Sequence, residues 1–317
     1  MRPTLRQLQY LVAVAETGRF SEAAKRVNVS QPSLSAQVAR MEEELGVTLF
    51  ERATCGALLT PKGADILARA RAILRDVEDL RASARQESED LEGLLRLGVL
   101  PTIGPYLLPL ATRQLHARFP QLRFSVREER TMDLKAHLHS GEYDTIISMT
   151  DDLAGTTSLP LFEEKLWICI APDDPLANRY TPIGPAHLEG RELLSLGHWQ
   201  NLNLRVQALA NAAGAHVNTE YAGTSLDSLR QMAEMGTGVA ILPSLYALSE
   251  MRRDPYLIIR RIDYPQASRT ISLIWRDSSP ISGKLETLSD VLKNAATELL
   301  DESCLPDKPA IRLNPVG

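Results

Sequence analysis

The residues best suited to chemistry stand where apolar runs give way to helical patterns. Glu192-Leu193-Leu194-Ser195-Leu196 reads as the end of a buried strand and Leu204 to Ala213 as a small-residue helix; between them lies Gly197-His198-Trp199-Gln200-Asn201. Strand ends that meet helix starts are where α/β proteins bind ligands. Other junctions of this kind offer hydroxyls. They are Pro101-Thr102-Ile103, Thr131 ahead of Met132 and Asp133, Ser148-Met149-Thr150, and Thr224. A helix start supplies free N–H groups and a partial positive charge, which suits a carboxylate or another anion. Each threonine has a plainer use as a helix N-cap. His198 could be a hydrogen-bonded structural histidine, and Trp199 could be core packing. A cleft-facing Trp199 would favour a small organic ligand with an anionic end; its bulk could equally fill the cleft.

Thiol and metal chemistry find little support. Cys55, Cys169 and Cys304 are scattered and share no metal-type spacing with histidine. An odd, dispersed set fits a reducing compartment. Cys169 stands in the apolar run Leu166 to Ile170 and reads as an inert core residue. His137 and His139 lie two apart on a helical pattern and face different ways, a poor metal site. No phosphate loop, nucleophile elbow or metal constellation is present, so no cofactor and no enzyme activity are expected.

The elements that position these residues follow from periodicity. At 317 residues the chain suggests two or three domains. No apolar run approaches the ~20 residues of a membrane span, and the first residues lack the core of a signal peptide; a cytoplasmic protein without membrane contact is expected. Residues 1–62 carry eight basic and six acidic side chains, a net of +2, against −5 for the whole chain, so the remainder carries −7. A slightly basic head on an acidic body is compatible with a DNA-binding module joined to something else.

Within that head, Leu5, Leu8, Leu11 and Val14 recur at helical spacing after Thr4, a candidate N-cap, and stop at Gly18. A second helix is expected from Ser21, as N-cap, to Arg26. Ser30 caps a third, with Pro32 in its first turn, where a missing N–H costs nothing. Leu34, Val38, Met41 and Leu45 form its apolar stripe. Gln31, Ser33 and Ser35, with Gln37 and Arg40 further on, offer donors and acceptors suited to base edges and phosphates.

The string Phe20-Ser21-Glu22-Ala23-Ala24, then Val29-Ser30-Gln31-Pro32-Ser33-Leu34-Ser35, Leu45-Gly46-Val47-Thr48-Leu49-Phe50-Glu51-Arg52 and Leu59-Thr60-Pro61-Lys62-Gly63 resembles the winged helix-turn-helix of the LysR-type transcriptional regulators. The resemblance implies that Gln31, Pro32, Ser33, Ser35, Gln37 and Arg40 sit on the recognition helix, that Arg52 to Thr60 forms the wing, and that Lys62 meets phosphates of double-stranded promoter DNA. From Pro61 to Leu91 one long stripe follows: Ile66, Leu67, Ala70, Ile73, Leu74, Val77 and Leu80. It reads as a helix on a partner helix, the alternative being a helix on its own core. In the family it pairs two subunits, implying a homodimer, with a homotetramer as the expected assembly and RNA polymerase as a candidate partner.

The body alternates strand and helix: strand 95–99, helix 107–119, strand 124–126, helix 132–140, strand 145–149, then strands 166–170, 239–243 and 270–275, helix 225–235 and a closing helix 283–300. This calls for parallel doubly wound α/β lobes. The expected architecture is α/β overall: an N-terminal all-α winged helix-turn-helix over 1–62, a linker helix over 63–91, and a periplasmic-binding-protein-like effector domain over 92–301. Its lobes would be 92–162 with 269–301, and 163–268, with a loosely ordered tail over 302–317. Crossings are expected near Leu161-Phe162 and Arg269-Thr270.

Within the LysR family, Gly104-Pro105-Tyr106-Leu107-Leu108-Pro109, Thr224-Ser225-Leu226, Gly238 to Pro243 and the Gly197-His198 pair are similar to the peroxide-sensing OxyR branch. That resemblance marks Thr102, Thr131, His198 and Thr224, with Ser148 and Trp199 beside them, as effector contacts. In that branch a cysteine follows the Gly-His pair and forms a disulfide with a second one further on. Here Trp199 follows it, and none of the three cysteines falls in the region. Tryptophan cannot become a sulfenate for a second thiol to resolve. The expected protein is therefore a regulator responding to a small organic or anionic effector, not a two-cysteine switch. The body alone would fit a solute-binding protein; the head and the missing signal peptide oppose it. An oxidant sensor using Cys169 or a mixed disulfide is the residual alternative.

Overall fold

The computed structural model describes residues 3–53, 56–83, 91–149, 153–179, 181–197, 201–219 and 225–303, the side chains of residues 52, 53, 78, 79, 82, 83 and 201 excepted. The expectations on Cys55, His198, Trp199, Thr224, Cys304 and the 304–317 tail lie outside the described residues. The chain divides into two compact units. One is Met1–Glu89 with Ala136–Asp144 and Ser278–Pro280; the other is Asp90–Lys135, Thr145–Asp277 and Ile281–Gly317.

Three helices open the first unit: α1 (Leu5–Thr17), α2 (Phe20–Arg26) and α3 (Gln31–Leu45). Thr4 and Gln7 form a reciprocal capping box at α1, which stops at Gly18 in the left-handed region, φ 66°. Ser21 does not cap α2. The helix starts at Phe20, with Arg19 in the cap position and no side-chain capping bond. Phe20 is inside the helix, its ring edge-on to Phe50 at 5.7 Å. Ser30 does cap α3, its hydroxyl accepting from the Ser33 N–H at 3.4 Å. Leu8, Leu11, Val14, Ala23, Ala24, Leu34, Val38 and Met41 close into one core.

A hairpin of β1 (Phe50–Ala53) and β2 (Gly56–Leu59) follows, then α4 (Pro61–Ser83). Glu42 of α3 ties the hairpin down: its Oε1 accepts from the Leu49 and Phe50 N–H groups at 2.7 and 3.2 Å. The first turn of α4 packs so tightly that a Cβ at Gly63 would strike the Leu49 carbonyl oxygen. The apolar stripe of α4 is divided. Leu67 and Ala70 are buried in the winged core, whereas Ile73 and Leu80 are exposed. Glu16 of α1 pairs with Arg26 of α2 at 2.7 Å and Arg71 of α4 at 3.4 Å.

The second unit carries β3 (Gly93–Val99), α5 (Gly104–Arg118), β4 (Leu122–Glu128), α6 (Thr131–His139, whose end falls in the first unit), β5 (Thr145–Met149), β6 (Thr156–Ile170), β7 (Glu192–Leu194), α7 (Asn201–Ala213), β8 (His216–Val217), α8 (Leu226–Glu234), β9 (Val239–Pro243), α9 (Ser244–Arg253), β10 (Ile258–Arg261), β11 (Ser268–Arg276) and α10 (Ser282–Leu300). The strands run β4-β3-β5-β11-β6-β9-β7-β8, with β10 also on β6. The β3/β4, β3/β5, β7/β9 and β7/β8 pairs are parallel. Each parallel set joins antiparallel crossing strands, β11 on one side and β6 on the other.

Strand β6 extends well beyond the expected 166–170: it begins at Thr156 and pairs with β11 along most of that strand. The register slips at Ile271/Ser272, opposite Phe162 and Pro160. Proline cannot donate to a ladder, and a bulge is where a strand tolerates it. Helix α5 starts three residues before the expected Leu107, at Gly104, with Pro105 in its first turn and Pro109 inside it.

Candidate functional site

Two regions collect the candidate residues. The first is the exposed side of α3. Leu34, Val38 and Met41 are buried on its inner face, while Gln31, Pro32, Ser33 and Arg40 are exposed and Ser35 and Gln37 half-buried. The exposed Ala36 and Ala39 keep this face low. Arg40 Nε donates to Glu44 Oε1 at 3.2 Å, using one of the five guanidinium N–H groups. The Gln37 carbonyl accepts from Gln7 Nε2 at 3.5 Å. Arg52 stands on β1 opposite Ala57; Lys62 is exposed on the first turn of α4, 4.0 Å from Asp65.

The second region is the carboxyl edge of β4-β3-β5. Thr102 follows β3, Thr131 is the first residue of α6 after β4, and Ser148 is the penultimate residue of β5. All three are buried, and the Ser148 hydroxyl has no hydrogen-bond partner among the described residues. Thr102 is not a cap; the cap position of α5 belongs to Ile103. Its Oγ1 instead accepts from Arg269 Nη2 at 2.9 Å. Arg269, on β11, donates through Nε and Nη2 to Glu164 Oε2 at 2.7 and 2.5 Å. Glu164, on β6, is fully buried, and the side chain of Arg269 is 3% exposed.

Burial pushes the Glu164 carboxyl above its ordinary range, opposed by the Arg269 charge, its hydrogen bonds and the Leu245 N–H on the first turn of α9. Glu164 Oε1 has no hydrogen-bond partner among the described residues, and Oε2 takes both guanidinium bonds, the arrangement of a buried carboxylate–arginine pair.

The anion-receptive start of α5 inferred from Thr102 is not available. The Ile103 and Gly104 N–H groups both donate to the Leu100 carbonyl at 2.9 Å, and those of Tyr106 and Leu107 to the Ile103 carbonyl at 3.1 and 3.0 Å. Pro105 has no N–H. A carboxylate already stands beside this turn: a Cβ at Gly104 would lie 3.0 Å from Glu128 Oε1. Desolvation raises the Glu128 pKa.

A further polar cluster joins α8 and α9. The buried Tyr246 hydroxyl donates to Asp227 Oδ1 at 2.8 Å and accepts from Arg230 Nε at 3.1 Å. Desolvation, with the hydrogen bond to Asp227, pushes the Tyr246 hydroxyl well above its ordinary pKa, and desolvation raises Tyr106 of α5 to about 12; Tyr106 sits edge-on to Tyr246 at 5.4 Å. Burial, reinforced by Glu234, pushes the Cys169 thiol up to about 12.

Glu164 is absent from the residues that motif and spacing single out, and Arg269 stands among them only as a crossing point. The available signal was charge in a strand context: Glu163-Glu164-Lys165 directly before the apolar run, and Arg269 before Thr270-Ile271-Ser272-Leu273. No group of metal-ligating side chains forms among the described residues. No described helix is long and apolar enough to cross a membrane.

Residues 5–64 match the bacterial regulatory helix-turn-helix protein model of the lysR family, and residues 88–297 match the LysR substrate binding domain. The chain is 38% identical over 290 residues to the DNA-binding transcriptional dual regulator OxyR of Escherichia coli K12, covering 91% of this chain and 94% of that protein. It is 32% identical over 302 residues to the transcriptional regulator EstR of Acinetobacter baylyi, covering 94% and 98%. A full-length OxyR structure from Pseudomonas aeruginosa superposes with a TM-score of 0.76 at 32% identity, covering 92% of this chain and 98% of that one.

Proposed function

The chain belongs to the LysR family of DNA-binding regulators with an effector-binding domain, and from that premise we propose that it reads promoter DNA through α3 and responds to a small molecule held at the carboxyl ends of β3, β4 and β5. The observation that carries this reading is the face of α3. Gln31, Pro32, Ser33, Ser35, Gln37 and Arg40 lie on a helix whose opposite side is locked into a winged core. Short donors and acceptors on a low helix face suit base edges in a major groove, with Lys62 as a proposed phosphate contact and Arg52, on the wing, as a further proposed DNA-binding residue.

Thr102, Thr131, Ser148, His198, Trp199 and Thr224 are the proposed effector contacts. The proposed organisation keeps a DNA-binding module over 1–62, a linker helix over 63–91 and an effector domain over 92–301, divided at the two crossings. The exposed Ile73 and Leu80 suit pairing of two α4 helices, giving a dimer that matches two-fold DNA sites, and a tetramer as a dimer of dimers. We place the protein in the cytoplasm, with RNA polymerase as a further candidate partner and no enzyme activity. The effector acts without a two-cysteine switch: Trp199 stands after Gly197-His198, and the buried Cys169 thiol is held protonated.

Gel-shift titration of the full-length protein on its own upstream DNA tests this reading. Specific, salt-dependent binding is expected; Lys62→Ala should weaken binding alike on all sequences and flatten the log–log salt slope by about one. Absence of sequence-specific binding would overturn it.

A further inference from the structure

Hydrogen-bond direction and charge at Thr102 restrict what can bind there. A guanidinium only donates, so Thr102 Oγ1 accepts from Arg269 Nη2 at 2.9 Å, and the threonine hydroxyl proton must serve another acceptor. No described residue takes that proton, and Thr102 is only 4% exposed. A buried donor without an acceptor is costly to leave unmet, so a ligand oxygen is the natural complement.

The charge of that oxygen is restricted as well. The Arg269 charge is matched by Glu164, at 2.7 and 2.5 Å from one carboxylate oxygen. The first-turn N–H groups of α5 are committed to Leu100 and Ile103. Glu128 already lines the turn at Gly104. A carboxylate ligand would meet two carboxylates and a cation already neutralised. A neutral oxygen would meet the same hydroxyl without that repulsion.

We infer that the Thr102 subsite takes a neutral acceptor oxygen, a carbonyl or hydroxyl, in preference to a carboxylate, and that Glu164 is the positioning residue that sets this preference through Arg269. The inference rests on the effector-site reading above, and the two fail separately. Loss of specific DNA binding would remove the regulator and leave the subsite chemistry standing; the reverse failure leaves DNA recognition intact.

Acetamide and acetate are the probes, nearly isosteric and differing in charge. Full-length protein with labelled threonine methyl groups is titrated with each at matched ionic strength, following the Thr102 methyl resonance, or the Thr131 methyl in Thr102 variants. Saturable binding of acetamide is expected, with acetate about tenfold weaker. Glu164→Gln leaves the guanidinium uncompensated and should reverse the order, an outcome a merely structural role for Glu164 does not produce. Thr102→Val should lose acetamide binding and Thr102→Ser keep it; this pair decides the matter where Glu164→Gln does not fold. A wild-type preference for acetate, no saturable response to either probe, an unchanged order in Glu164→Gln, or undiminished acetamide binding by Thr102→Val overturns the inference.

Discussion

Removing Glu164 should cost the effector domain more than any comparable surface change. The carboxylate is fully buried and its partner guanidinium is 3% exposed, so truncation to alanine strands a positive charge away from water. Two unit charges about 4 Å apart attract by about 4 kcal/mol at an effective dielectric of about 20. Breaking one partner of a buried pair typically costs about 3–5 kcal/mol, a large part of the ~5–15 kcal/mol that holds a folded protein together. The three tryptophans are Trp167, Trp199 and Trp275, all after residue 163. Tryptophan fluorescence in urea therefore follows this domain and not the winged module. Glu164→Ala should lower its midpoint by the equivalent of about 3 kcal/mol or more, while the apolar pair Glu164→Met with Arg269→Leu should recover most of the loss. A loss below about 1 kcal/mol, or a double variant no more stable than the single, would refute the claim that the two charges depend on each other.

Other outcomes follow from single contacts. Cys169 should resist iodoacetamide in the native protein and react only on unfolding. The folded chain keeps this proton up to about 12 whereas an ordinary thiol releases it near 9.0, so its contribution to stability falls as pH rises through that window; Cys169→Ala should flatten the fall in alkaline urea titrations. Gly63→Ala should abolish DNA binding in gel shifts yet leave tryptophan-monitored unfolding unchanged, because the added methyl strikes the Leu49 carbonyl inside the winged module. Glu42→Gln should weaken the module by about 1–3 kcal/mol through its charge-assisted bonds to the Leu49 and Phe50 amides, read as faster hydrogen exchange at those two sites; unchanged exchange would oppose it.

Local signals made the head of the chain legible. Ser30, Pro32 and Gly46 punctuate α3, and Leu34, Val38 and Met41 mark its buried side within a single helix. Ser21 misled because a good capping residue can stand inside a helix when Phe20 must pack on Phe50. The start of α5 was hidden by Pro105, which reads as loop but fits a first helical turn. The first half of β6 was hidden by Pro160 and Glu163-Glu164, residues that oppose a strand until a bulge and a buried arginine accommodate them. Thr102 was legible as a polar junction, but its partner was not. Glu164 and Arg269 lie 105 residues apart and meet only through the β6/β11 register.

That register also bears on how a ligand could be sensed. Arg269 belongs to β11 and Glu164 to β6, the antiparallel strands through which the two parallel sets of the sheet are connected. The Thr102 hydroxyl is hydrogen-bonded to Arg269 of this pair and does not cap the helix that follows it. An oxygen bound at Thr102 therefore competes for, or completes, a network anchored on the crossing strands. A ligand shifts a conformational equilibrium only by its differential affinity for the two states. If one state keeps Thr102 on Arg269 and another does not, the hydroxyl is available as an oriented donor only in the first. One bond of this kind is worth about 0.5–1.5 kcal/mol, a several-fold shift. A larger response would require further contacts at Thr131 and Ser148, on the neighbouring strand ends.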